Sequence, residues 1–145
     1  MKRILILFIL GSLTIDNTNG CSCATFPLQT KFCKSDFVIK IKVTDIQKTT
    51  VLTSTTNIYH VDILETYRAN AEAVEALKLK YLTTDPFRGM CGLRLRRDQI
   101  AVVGGIISGG EPAISVCRLH IKSPQEIEAQ SVNLRENFSK NCTTA

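Results

Sequence analysis

Six cysteines, at positions 21, 23, 33, 91, 117 and 142, constrain this 145-residue chain more than any other feature. They follow a stretch with the grammar of a secretory leader: Lys2 and Arg3, an apolar run over 4–13, and a polar end at Thr18-Asn19-Gly20. The apolar run is too short to span a bilayer, and no later segment is apolar for long enough, so no membrane span is expected. A small residue at Gly20 suits cleavage before Cys21, which divides the chain into a signal peptide over 1–20 and one domain over 21–145. An even cysteine count behind a leader reads as a disulfide framework in a secreted protein of the extracellular space. Thiolate metal ligands suit a reducing compartment better, and the chain has no C-x-x-C pair and only 2 histidines. Spacing alone leaves the connectivity open.

Three cysteines crowd into 21–33 and three are spread over 91–142, so bridges should pin the N-terminus to distant parts of the domain, where chain ends are ordinarily mobile. Residues 27–34 suit a short helical turn. Phe37, Ile39, Ile41 and Val43 alternate with Val38, Lys40 and Lys42, which predicts a strand with one core face. The Thr- and Ser-rich residues 49–56 read as a loop, making 44–57 a short connection with no extended first hairpin. Alternation resumes over 58–67, and Leu77, Leu79 and Tyr81 mark a third strand. Asp85-Pro86 ends it, and Arg88-Gly89 turns the chain toward Cys91. Leu93 and Leu95 then alternate with Arg94 and Arg96. Segments 100–107 and 113–118 flank Gly109-Gly110 as a hairpin. Ser123-Pro-Gln-Glu126 is a capping box with Pro at the first helical position, predicting a helix over 124–138 that buries Ile127, Leu134 and Phe138. The fold class is mostly β with flanking helices, its five strands suited to a small closed barrel.

The formal charge of +5 is mildly basic. It favours loose contact with acidic polymers of the extracellular matrix, but no Lys/Arg block is long enough for a nucleic-acid groove. Arg94, Arg96 and Arg97 read first as a solvated face. His60 and His120 lie in strand-like segments away from any nucleophile or metal-ligand spacing, which assigns them packing or surface roles. Without a nucleophile motif, phosphate loop or paired catalytic acids, the chain does not read as an enzyme. Asn137-Phe-Ser and Asn141-Cys-Thr are N-glycosylation sequons.

Cys21-Ser22-Cys23, then Gln29 and Phe32 ahead of Cys33, then Asp36 and Val38-Ile39-Lys40 before Lys42 form a distinctive opening. Together with Met90-Cys91-Gly92, Cys117 and Cys142, it resembles the tissue inhibitors of metalloproteinases over essentially the whole of 21–145. The resemblance implies a single-domain member corresponding to the family's N-terminal, netrin-like inhibitory domain. It also implies an OB-like closed barrel stapled by three disulfides: Cys21 to Cys91, Cys23 to Cys117 and Cys33 to Cys142.

A protease zinc held by three protein ligands keeps an open position for water or substrate. The resemblance implies that the α-amino nitrogen and carbonyl oxygen of Cys21 chelate that zinc and displace the water. An ordinary α-amine ionises near pH ~8, so coordination would be coupled to loss of a proton. Ser22 would enter the specificity pocket, with Cys23, Ala24 and Thr25 continuing along the cleft and Gly89, Met90 and Cys91 alongside. No cofactor of its own is implied, and Cys21 is a metal ligand only toward the target's zinc. The implied partners are zinc metalloproteinases of matrix metalloproteinase or related type, met by a monomer. Where the family often has Pro and His-Pro, this chain has Thr25 and Pro27-Leu28, so its path out of the cleft is expected to differ. The alternative is a netrin-like extracellular binding module for matrix or signalling partners, to which a free amine at Cys21 would be irrelevant.

Overall fold

The computed structural model describes residues 21–85 and 90–143. The leader over 1–20 and Gly89 therefore lie outside the described residues. In chain order the elements are α1 (Leu28–Cys33), β1 (Phe37–Val51), β2 (Ser54–Ala69), α2 (Ala71–Leu77), β3 (Tyr81–Thr84), β4 (Ile100–Ser108), β5 (Glu111–Ile114), β6 (His120–Ile121) and α3 (Pro124–Val132). A π-helical turn (Asn133–Asn137) and α4 (Phe138–Lys140) complete them.

The sheet runs β1-β2-β3-β5-β4-β6, and a further pairing of β4 with β1 returns it on itself, so five strands form a ring with β6 added outside the circuit. The two edges of β4 explain this. One edge pairs from Ile100 to Gly105 against Lys42 to Phe37 of β1. The other carries β6 at Val102 and Val103, then β5 from Gly105 to Ser108. Register shifts at Val38/Ile39, Lys40/Ile41 and Val43/Asp45 interrupt the β1–β2 ladder. Such bulges increase local bend and twist, which lets one strand serve two partners around a curve. Gly105 is needed where β1, β4 and β5 converge, because a Cβ there would lie 2.3 Å from the Phe37 ring and 2.4 Å from the Ala113 carbonyl oxygen.

Alternation along β1 sorts side chains between two cores. Phe37, Ile39, Ile41 and Val43 enter the ring with Tyr59, Val61, Leu82, Ala101, Val103 and Ile114. Val38 faces outward with Val102, Leu119 and Ile121, and there meets Phe32 of α1, Ile127 of α3, Leu134 and Phe138. The start of β1 is thus buried on both faces. Complete burial of side chains such as Phe32 and Leu134 stabilises the fold by about 1.5–3 kcal/mol each. Ser123 caps α3 by accepting from the Glu126 N–H, and Ile127, Leu134 and Phe138 do share the buried face.

Three expectations need correction. Residues 49–56 are no free loop: the β1–β2 ladder continues to Val51 opposite Ser54, making one long hairpin. Thr-rich strands pair well without a buried face, and polarity alone hid them. Leu77 ends a helix, not a strand; Asn70 caps α2 by accepting from the Ala73 N–H at 2.8 Å, and the run 71–77 is rich in the strong helix formers Ala and Glu. The alternation of Leu93 and Leu95 with Arg94 and Arg96 does sort buried from exposed side chains, in a segment that is not itself a strand. The strand after Gly109-Gly110 occupies Glu111–Ile114, ahead of the expected 113–118, and both glycines adopt the positive φ of a two-residue hairpin turn.

Candidate functional site

Residues 21–27 form neither helix nor strand, and covalent bonds hold them in place. Cys21 is bridged to Cys91 across a sequence separation of 70, and Cys23 to Cys117 across 94, with Cα–Cα distances of 5.0 and 5.2 Å. The two bridges touch: the Cys21 Sγ lies 3.5 Å from the sulfurs of both Cys23 and Cys117. All four sulfurs fall within 4.8 Å of one another, yet each is spent in a bridge, and no described cysteine is a free thiol. The third bridge, Cys33 to Cys142 across 109 residues, fastens α1 to the chain beyond α4. These are the three pairs that the resemblance implies.

The far ends of both bridges are themselves fixed. The Val116 N–H donates to the Cys91 carbonyl at 2.9 Å, joining the two receiving segments next to the sulfurs. Two buried hydroxyls hold the chain after Cys91: Thr84 donates to the Ile114 carbonyl and accepts from the Leu93 N–H, while Tyr59 donates to the Leu93 carbonyl and accepts from the Leu95 N–H. Cys91 itself has φ +66, a left-handed conformation that costs an L-residue roughly 1–2 kcal/mol and persists here under bridge and hydrogen bonds.

Along this ridge Cys21 and Cys23 are half-buried and Ser22, Ala24 and Thr25 are exposed, an alternation set by the two sulfurs turning inward. Met90, 58 % exposed, stands beside the bridged Cys91. The structure therefore brings together Cys21, Ser22, Cys23, Met90 and Cys91, with Ala24 and Thr25 trailing. Asn137 and Asn141 are exposed on the C-terminal helical segment; the Asn141 side chain donates to the Asn137 carbonyl. His120 is packed away, with Nδ1 3.0 Å from the Arg118 carbonyl oxygen, and burial holds its pKa below the usual histidine value.

Residues 19–145 match the family model described as Tissue inhibitor of metalloproteinase. The chain belongs to the tissue inhibitor of metalloproteinase family. A Tissue inhibitor of metalloproteinase of Drosophila melanogaster is 28 % identical over 131 residues, covering 86 % of this chain. This chain spans 58 % of that relative's length.

Membership in the tissue inhibitor of metalloproteinase family gives a place to residues that sequence reasoning passed over. Tyr59 and Thr84 act as positioning residues for the segment that receives Cys21; the visible signal was a hydroxyl on the core face of each strand. Asp36, part of the family-like opening, braces the ring: one carboxylate oxygen accepts from the Ile107 N–H at 2.8 Å and the other from the Asn70 side chain at 3.1 Å. Phe26, Lys31, Lys34 and Arg118 border the ridge, and nothing in their spacing announced it. Among the described residues, no helix is long and apolar enough to cross a membrane.

Proposed function

We propose that this chain, cleaved before Cys21, is a secreted inhibitor of zinc metalloproteinases in the extracellular space. The observation that carries the reading is the double covalent anchoring of an otherwise irregular ridge, with Cys21 at its head and Ser22 exposed beside it. A free amine and carbonyl on Cys21 would chelate the catalytic zinc of the target, Ser22 would enter the adjoining pocket, and Ala24, Thr25 and Met90 would flank the contact. The bridges leave little ordering entropy to lose on binding, which favours a tight complex. The ring with its β4–β1 return fits an OB-like closed barrel, whose role is to hold both bridge acceptors rigidly.

The test is an N-terminal extension. Protein beginning at Cys21 should block a matrix-type zinc protease stoichiometrically, whereas the same protein with one added Ala, its amine now an amide, should lose at least about 4 kcal/mol of binding, read as a ~1,000-fold rise in Ki. Equal potency of the two forms would overturn the chelation mechanism.

A further inference from the structure

Beside the ridge lies a recess of about 350 Å³, bordered by Ser22 and Ala24, by Lys31 and Lys34 of the first helix and its end, and by Arg118. Among the described residues no carboxylate lines it and none of these three cations makes an ion pair. Two of them are held in place. The Lys34 ammonium sits 4.0 Å from the centre of the Phe26 ring, and the Arg118 guanidinium donates to the Lys34 carbonyl at 3.1 Å. Three like charges facing one recess repel one another until an anion enters.

We infer that this recess is a specificity subsite that receives a carboxylate side chain from the rim of the target protease's active-site cleft. The inference rests on the proposed insertion of the ridge: Ser22 and Ala24 form part of both ridge and recess, so a cleft that takes the ridge also covers the recess mouth. The ridge contributes mainly backbone and small side chains, which discriminate little among proteases. The recess discriminates by charge. An acidic rim is attracted and its encounter accelerated, while a rim bearing Lys or Arg is repelled.

The experiment compares protein beginning at Cys21 with a K31E/K34E double variant and a milder K31Q/K34Q variant, Arg118 being left intact because it holds Lys34. Association rates are measured at low and physiological salt against two zinc-protease catalytic domains, one with an acidic cleft rim and one with a basic rim. Toward the acidic rim, charge reversal should slow association by about tenfold at low salt and flatten its salt dependence, with the glutamine variant intermediate. Toward the basic rim, reversal should speed it. Failure of the unsubstituted protein to inhibit either enzyme removes the proposed function and the subsite with it. Normal inhibition by the unsubstituted protein, with unchanged rates in both variants, removes the subsite alone. Weaker retention of the variants on immobilised heparin, again with unchanged rates, assigns the recess to a sulfated polysaccharide and also overturns it. Unchanged thermal melting of the variants shows that the rates report the recess and not the fold.

Discussion

The ridge over 21–27 has no strand pairing and is held by two disulfides, whereas the tip of the β1–β2 hairpin, over 49–56, has no disulfide and lies beyond the stretch of β2 that pairs with β3, so its strand pairing is that of the β1–β2 ladder. The hairpin tip is wet: Val51 is 63 % and Leu52 96 % exposed, and among the described residues a Thr50–Thr55 hydroxyl contact at 3.1 Å is what braces it beyond the backbone pairs. A segment with so few buried contacts opens locally at low free-energy cost, while a doubly bridged one does not. Irregular backbone can thus be the more rigid of two projections when covalent bonds set its position.

Breaking the bridges should give the largest effects. Cys23→Ser with Cys117→Ser, or Cys33→Ser with Cys142→Ser, should each lower stability by about 2–5 kcal/mol in denaturant melts. The pairs should part company in function. Below its melting range the Cys33/Cys142 variant keeps both ridge anchors and should inhibit normally per folded molecule, whereas the Cys23/Cys117 variant leaves the ridge held by the Cys21–Cys91 bridge alone and should inhibit at least about tenfold more weakly, reflecting more than about 1.4 kcal/mol of added ordering cost. Equal inhibition by the two would show that the second anchor of the ridge is dispensable.

At the hairpin tip the effects should be small and of opposite sign. Leu52 has φ +56, so Leu52→Gly relieves a left-handed leucine while adding freedom to the unfolded chain. A net gain of about 0.5 kcal/mol in chemical denaturation is expected. Hydrogen exchange sharpens the contrast: amides of 49–56 should exchange well ahead of those of 37–42, which lie between two strands.

What could be read from sequence follows the same division. The ring strands announced themselves through alternation at Phe37, Ile39, Ile41 and Val43, and α3 through its Ser123 capping box, because burial and capping leave local marks. The hairpin extension left none, since its paired Thr residues bury no face. Helix α2 was obscured because Leu77 and Leu79 mimic a strand period at the point where Asn70 and the Ala-Glu run set a helix. For the site, the resemblance pointed to Cys21 and its neighbours, but not to Tyr59, Thr84, Lys31, Lys34 or Arg118. Tyr59, Thr84 and Arg118 act through contacts made across long stretches of chain, and Lys31 and Lys34, though near in sequence, border the ridge only because α1 folds back beside it.

The base of the hairpin, unlike its tip, is tied to the C-terminal helical segment, and this gives the smallest and most selective test. Arg135 donates from Nε and Nη2 to the two carboxylate oxygens of Glu65 at 2.6 and 3.1 Å, and the Tyr67 hydroxyl donates to the same carboxylate at 3.0 Å. The Arg135 hydrogen bond holds Glu65 below the usual carboxylate value of 4.5, whereas burial, then the bond to Glu65, pushes Tyr67 up to about 12. A depressed carboxylate stabilises the fold above its unfolded pKa, and that contribution fades as pH falls below 4.5 through the folded value. A raised tyrosine contributes fully below its ordinary value of 10 and loses that contribution as pH climbs through about 12. In melting temperature against pH, Arg135→Gln should therefore flatten the acid limb and Tyr67→Phe the alkaline limb. Because Arg135 is open to solvent, added salt should shrink the acid-side difference. Neither substitution should alter inhibition at neutral pH, since among the described residues the cluster's hydrogen bonds join Glu65, Tyr67 and Arg135 and include none to the ridge.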